Sequence, residues 1–127
     1  WLYLFGSIIQ TNKVDTTFYE SVEQAVVREF GSECQVALSV FRAESGLRVG
    51  AEGDNHQSIG IAQIYIPAHK NKIPDKDKKA WLKNFQNNLR LAKKIWDKSG
   101  WKAWSSYKNG SFRSFLDEYK SCLKYVK

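Results

Sequence analysis

Apolar residues recur at helical spacing along most of this chain. Phe18, Val22, Ala25, Val26 and Phe30 predict a first helix that Gly31 ends. Thr16 or Thr17 is placed to cap it, with Glu20 completing a capping box with Thr17. Ser32 is then expected to cap a second, strongly apolar helix running to about Ser45, where Gly46 stops it. Two helices joined so tightly must turn sharply and pack on one another. Further on, Ala80 to Phe85 reads as a short helix. Leu89, Ala92, Ile95 and Trp96 mark an amphipathic helix over 88–99, with lysines on its other face and Gly100 as its stop. Trp101 to Tyr107 is an aromatic-rich turn or short helix. Ser111 is expected to cap a last helix to about Val126, with Phe112, Phe115, Leu116, Tyr119 and Leu123 inward.

Where the helical period breaks, turn chemistry takes over. Leu47 to Gln57 holds Gly50, Gly53, Asp54 and Asn55 and reads as a loop. Ser58 to Ile66 is isoleucine-rich and closed by Pro67, which predicts a small irregular β excursion rather than a true sheet. Ala68 to Lys79 is a polar connector carrying Pro74. The fold class expected is mainly α with this small β element, in one domain over residues 17–127. Residues 1–16 form an apolar segment and connector. Trp1 to Ile9 is too short to span a bilayer. It reads either as the trimmed tail of a signal or anchor sequence or as a segment packing on the domain.

Composition changes this picture in two places. The net charge of +7 is divided unevenly: residues 1–57 carry four Lys/Arg against eight Asp/Glu, and residues 58–127 carry sixteen against five. Such a basic half suits an anionic polymer or is simply a solvated face. Lysine far outnumbers arginine and no nucleic-acid motif is visible, so a nucleic-acid partner is not expected. The two cysteines, Cys34 and Cys122, lack zinc-ligand spacing. They are either a disulfide, expected if the chain is secreted, or two separate buried thiols. His56 and His69 have no metal-ligand spacing and are expected at the surface; no metal or cofactor is expected.

The chemistry converges on the end of the second helix. Ala37, Val40, Phe41 and Glu44 share one side of it, with Leu38 close by. A carboxylate closing an apolar face is unusual, because an apolar surround disfavours the charged form. A protonated carboxyl near neutral pH is what a general acid must offer. Taken alone, Glu44 reads rather as a helix-end side chain reaching water.

Three stretches in order resemble the lytic transglycosylases and goose-type lysozymes of the lysozyme-like superfamily: Glu44-Ser45-Gly46, then Gly60-Ile61-Ala62-Gln63-Ile64, then Trp104 to Gly110, which is similar to an Ala-Tyr-Asn motif with one added residue. The resemblance implies a lysozyme-like fold and cleavage of the β-1,4 bond between N-acetylmuramic acid and N-acetylglucosamine. Glu44 would be the catalytic acid and base. Ser45, Ser58, Gly60, Ile61, Gln63, Tyr107 and Asn109 would contact substrate or flank the acid, and the extra Lys108 puts the register of Asn109 in question. A hydrolase needs a second carboxylate, for which Asp54 and Glu52 are the candidates. Ser58 occupies a position where related lysozymes often carry Asp. A transglycosylase needs none, since the sugar's own C6 hydroxyl closes on C1. The implied setting is a secreted, cell-envelope or virion-associated bacteriolytic monomer acting on glycan strands, its basic half adhering to the anionic wall. A non-catalytic glycan-binding module is the alternative, with Ser58 as the sign of lost catalysis.

Overall fold

The computed structural model describes residues 20–126. The expected caps at Thr16 and Thr17, Phe18, and the segment 1–16 lie outside them. Helix α1 spans Val22–Phe30. Its capping box is made one turn later than expected: the Ser21 hydroxyl accepts from the Gln24 N–H at 3.0 Å, and the Ser21 N–H donates to the Gln24 side chain at 2.8 Å. Gly31, at φ 52, opens a 3-10 turn over Gly31–Glu33 that leads directly into α2, Cys34–Ser45. Ser32 therefore lies within that turn and does not cap α2. Gly46 ends α2 in the left-handed region, φ 66, its N–H bonded to the Arg42 carbonyl, as the sequence predicts.

Three two-residue strands follow: β1 Glu52–Gly53, β2 Ser58–Ile59 and β3 Ile64–Tyr65. They form an antiparallel sheet in the order β1-β2-β3, with Gly53 opposite Ser58 and Ile59 opposite Ile64. The β excursion is thus a sheet, though a minimal one. Asp54, Asn55 and His56 turn the first hairpin with positive φ at all three; Asn and Asp tolerate that region better than most residues. Next come the one-turn helix α3 (Ile66–His69), α4 (Lys78–Lys83, capped by Asp77) and α5 (Phe85–Ser99, capped by Asn84). A 3-10 turn at Trp101–Ala103 leads into α6, Ser105–Lys108. No described helix is long and apolar enough to cross a membrane.

The final segment departs from expectation. It runs as 3-10 turns, Ser111–Phe115 and Lys120–Tyr125, instead of one α-helix, and Ser111 makes no side-chain cap. Phe112, Tyr119 and Cys122 are buried, but Leu123, expected inward, is about half exposed at 49%. The segment is fastened to α2 at separate points: the Gln35 amide donates to the Leu116 carbonyl at 2.9 Å, and Arg42 reaches Glu118 at 3.0 Å and the Tyr119 hydroxyl at 3.1 Å. The two cysteines are joined in a disulfide that ties Cys122 to the first residue of α2. These long-range ties, rather than helical propensity, set the path of the chain here.

Helix α2 runs through the core. Ala37, Leu38, Val40 and Phe41 are all buried. The Phe41 ring packs edge-on against Phe30, Trp101 and Trp104, at centroid distances of 5.5, 6.0 and 5.8 Å. This aromatic cluster buries the α2 face that ends at Glu44.

Candidate functional site

Glu44 sits on the last turn of α2, half-buried, at the edge of a cleft of about 230 Å3. One side of the cleft is helical: Glu44, Trp104, Ser105, Lys108, Ala103 and Ile95. The other comes from the sheet and α3: Asp54, Ser58, Gln63, Ile64, Tyr65 and His69. The surround of Glu44 is not purely apolar. Its Oε2 accepts the Ser106 backbone N–H at 3.0 Å and, at 3.4 Å, the Ser105 hydroxyl. Both donors come from the first turn of α6, which the Ser106 hydroxyl pins to the Val40 carbonyl of α2 at 3.3 Å. Among the described residues no hydrogen bond reaches Oε1.

The two sides are locked together by the loop between β2 and β3. The buried Ser45 hydroxyl donates to the Ile61 carbonyl at 2.7 Å, and the Trp104 indole N–H donates to the Ala62 carbonyl at 2.9 Å. Asn88, fully buried on α5, accepts the Ala62 N–H at 3.0 Å and donates to the Ile59 and Leu82 carbonyls at 2.9 and 3.0 Å. Three side chains far apart in sequence thus satisfy the backbone of one short loop, as burial requires. Ser45 and Ile61 are part of this framework; Ile61 is wholly buried and does not line the cleft.

Gly60 has a structural reason of its own. At φ 82, a Cβ there would stand 2.3 Å from the Asn88 amide nitrogen and 2.7 Å from the Leu82 carbonyl oxygen. The close approach that demands glycine here is to α4 and α5. Gln63 lines the cleft, but its amide nitrogen is engaged by the Ala51 and Gly60 carbonyls at 3.2 and 3.0 Å. It holds a left-handed φ of 51. Such a conformation in a non-glycine residue costs on the order of 1 kcal/mol or more and persists only where surroundings impose it.

The two candidate second carboxylates part company. Asp54 lines the cleft with Glu44, and its Oδ2 accepts the buried Ser58 hydroxyl at 2.7 Å. Ser58 therefore positions a carboxylate instead of supplying one. Glu52 faces α4, where it binds Lys83 at 2.6 Å and Lys79 at 3.3 Å, and contacts His56 at 3.0 Å. The hydrogen bond from Lys83, then that from Lys79, hold its pKa down at about 2, from an ordinary 4.5. Its stabilising effect is present above the unfolded value of 4.5 and is lost as pH falls through about 2. Glu52→Gln should thus lower the thermal midpoint slightly at pH 6, with the difference from the parent shrinking as pH falls below 4.5 and through about 2. A difference as large at pH 2 as at pH 6 would contradict this assignment.

Neither Tyr107 nor Asn109 lines the cleft or hydrogen-bonds Glu44 among the described residues. The Tyr107 ring stacks on Phe112 at 4.7 Å, and the Asn109 side chain accepts the Ser111 N–H at 2.8 Å. The donors to Glu44 are Ser105 and Ser106. His69, expected at the surface, lines the cleft; its Nδ1 is buried without a hydrogen-bond partner among the described residues. Burial, with a contribution from Lys72, holds its pKa below the usual imidazole value. Trp104, Ser105 and Lys108 enter the cleft from the third family-like stretch, whereas Tyr65 and His69 line it with no site role expected from sequence. The one local signal is strand alternation, buried Ile64 followed by exposed Tyr65. No group of three His, Cys, Asp or Glu side chains among the described residues could hold a metal ion. Comparison of the chain with family models, curated proteins and solved structures found no match.

Proposed function

We propose that this chain is a peptidoglycan-cleaving glycosidase of lysozyme-like fold, acting on the bond between N-acetylmuramic acid and N-acetylglucosamine with Glu44 as acid and then base. The observation that carries this reading is the setting of Glu44: a carboxylate on the last turn of a buried helix, Oε2 held by the Ser106 N–H at 3.0 Å, opening on a cleft. Oε1 is left to carry the proton given to the leaving oxygen as the sugar develops oxocarbenium character. A shallow depression along Asp54, Asn55, Gln57 and Tyr65 shares Asp54 and Tyr65 with the cleft and offers a polymer a path beyond it. Tyr65, exposed there, presents an aromatic face suited to sugar rings.

After protonation, Glu44 can take the C6 hydroxyl proton while that oxygen closes on C1, giving a 1,6-anhydro end with no second carboxylate. The Ser58–Asp54 hydrogen bond favours a second reading, hydrolysis, in which Asp54 serves as nucleophile or base. Product mass separates them, because a 1,6-anhydro muropeptide lacks one water relative to a reducing-end muropeptide. Digestion of purified peptidoglycan should give anhydro ends, with Asp54→Asn remaining active. Reducing ends throughout, with activity lost in Asp54→Asn, would establish hydrolysis. No fragments at all would overturn the glycosidase.

A further inference from the structure

We infer that Lys108 selects for a carboxylate on the glycan next to the bond that Glu44 attacks. This deepens the glycosidase reading and rests on it. Among the described residues that line the cleft, Lys108 is the only lysine or arginine. It shares the cleft with Glu44 and with Asp54, a second carboxylate whose charge by itself repels an anionic substrate. Lys108 makes no ion pair with any described residue, whereas Lys79, Lys83, Lys93 and Lys120 each have a carboxylate within 4.0 Å or less. Its charge is thus not consumed by the fold.

Geometry ties this lysine to the reacting bond. Ser105, whose hydroxyl is 3.4 Å from Glu44 Oε2, and Lys108 are three residues apart on α6 and share a face of it. The rise between them is about 4.5 Å, so the amine at the end of its flexible stem reaches the neighbourhood of a sugar bound against Glu44. The main chain on which it stands is fixed, with the Lys108 N–H bonded to the Trp104 carbonyl at 3.2 Å. The carboxylate it fits is either the lactyl group of N-acetylmuramic acid or one on the attached stem peptide.

Binding to three ligands tests this: the GlcNAc–MurNAc disaccharide with a free lactyl carboxylate, its peptide-bearing form, and the neutral N-acetylglucosamine tetramer. Calorimetry on the parent and Lys108→Gln should show about a two- to fivefold weakening for the carboxylate-bearing ligands, the range of an exposed ion pair, and no change for the tetramer. Lys108→Arg should restore binding. Loss with the free disaccharide identifies the lactyl group, and loss only with the peptide-bearing form identifies the stem peptide; either supports the inference. Equal weakening on the neutral tetramer, or none on either anionic ligand, overturns the role of Lys108 and leaves the glycosidase standing. Failure of the parent to bind all three overturns both.

Discussion

Glu44→Gln should abolish clearing of bacterial wall suspensions while leaving fold and glycan binding in place. A positioned general acid contributes about 10²- to 10⁴-fold to rate, and in the proposed transglycosylase route the same group also acts as base, so on that route the loss should reach at least the upper part of that range. Glutamine keeps the shape of the side chain, and its carbonyl oxygen can still accept the Ser106 N–H that now binds Oε2 at 3.0 Å. What it cannot do is deliver a proton to the leaving oxygen. Thermal unfolding and wall pull-down on the same preparation establish that the variant is folded and binds. Clearing within tenfold of the parent would remove Glu44 from the mechanism and turn attention to Asp54, the other carboxylate lining the cleft. A parent that binds walls and never clears them would make this a glycan-binding module.

Cleaving the Cys34–Cys122 disulfide is the largest stability change expected. The bridge closes a loop with a sequence separation of 88. On the chain-entropy model this contributes about 4–5 kcal/mol, a large share of the roughly 5–15 kcal/mol that holds a domain folded. The paired substitutions Cys34→Ala and Cys122→Ala should therefore shift the denaturant midpoint strongly downward. Hydrogen exchange should locate the first loss in 111–126, which is built of short 3-10 turns and fastened to α2 by the disulfide, Gln35 and Arg42. A midpoint unchanged by both substitutions, or protection lost first in α2, would show that the bridge does not carry this segment.

Residues placed by local rules were legible in the sequence. The apolar period located α2 and α5, Gly46 and Gly100 ended them, and Glu44 fell on the last turn of α2 because helix geometry and a left-handed stop depend on neighbours alone. Local rules also misled where two of them competed. Ser21 with Gln24 makes the cap of α1, though Thr17 with Glu20 offers the same chemistry one turn earlier. The 111–126 stretch has helical spacing but too little local drive to hold an α-helix against its ties to α2.

What surrounds Glu44 was decided by tertiary structure. Its closest donor is a backbone N–H, that of Ser106, which has no signature in residue type. Asp54 and Glu52 are two residues apart and looked interchangeable. The hairpin between β1 and β2 sends Asp54 to the cleft with Ser58, while Lys79 and Lys83 of α4 claim Glu52. Gly60 stood out in sequence, but the need for it comes from Asn88 and Leu82, more than twenty residues away. Sequence determined that a carboxylate would end a buried helix, because that follows from periodicity and one glycine. Which atoms would face that carboxylate depended on contacts between distant segments, and those are set only when the whole core packs.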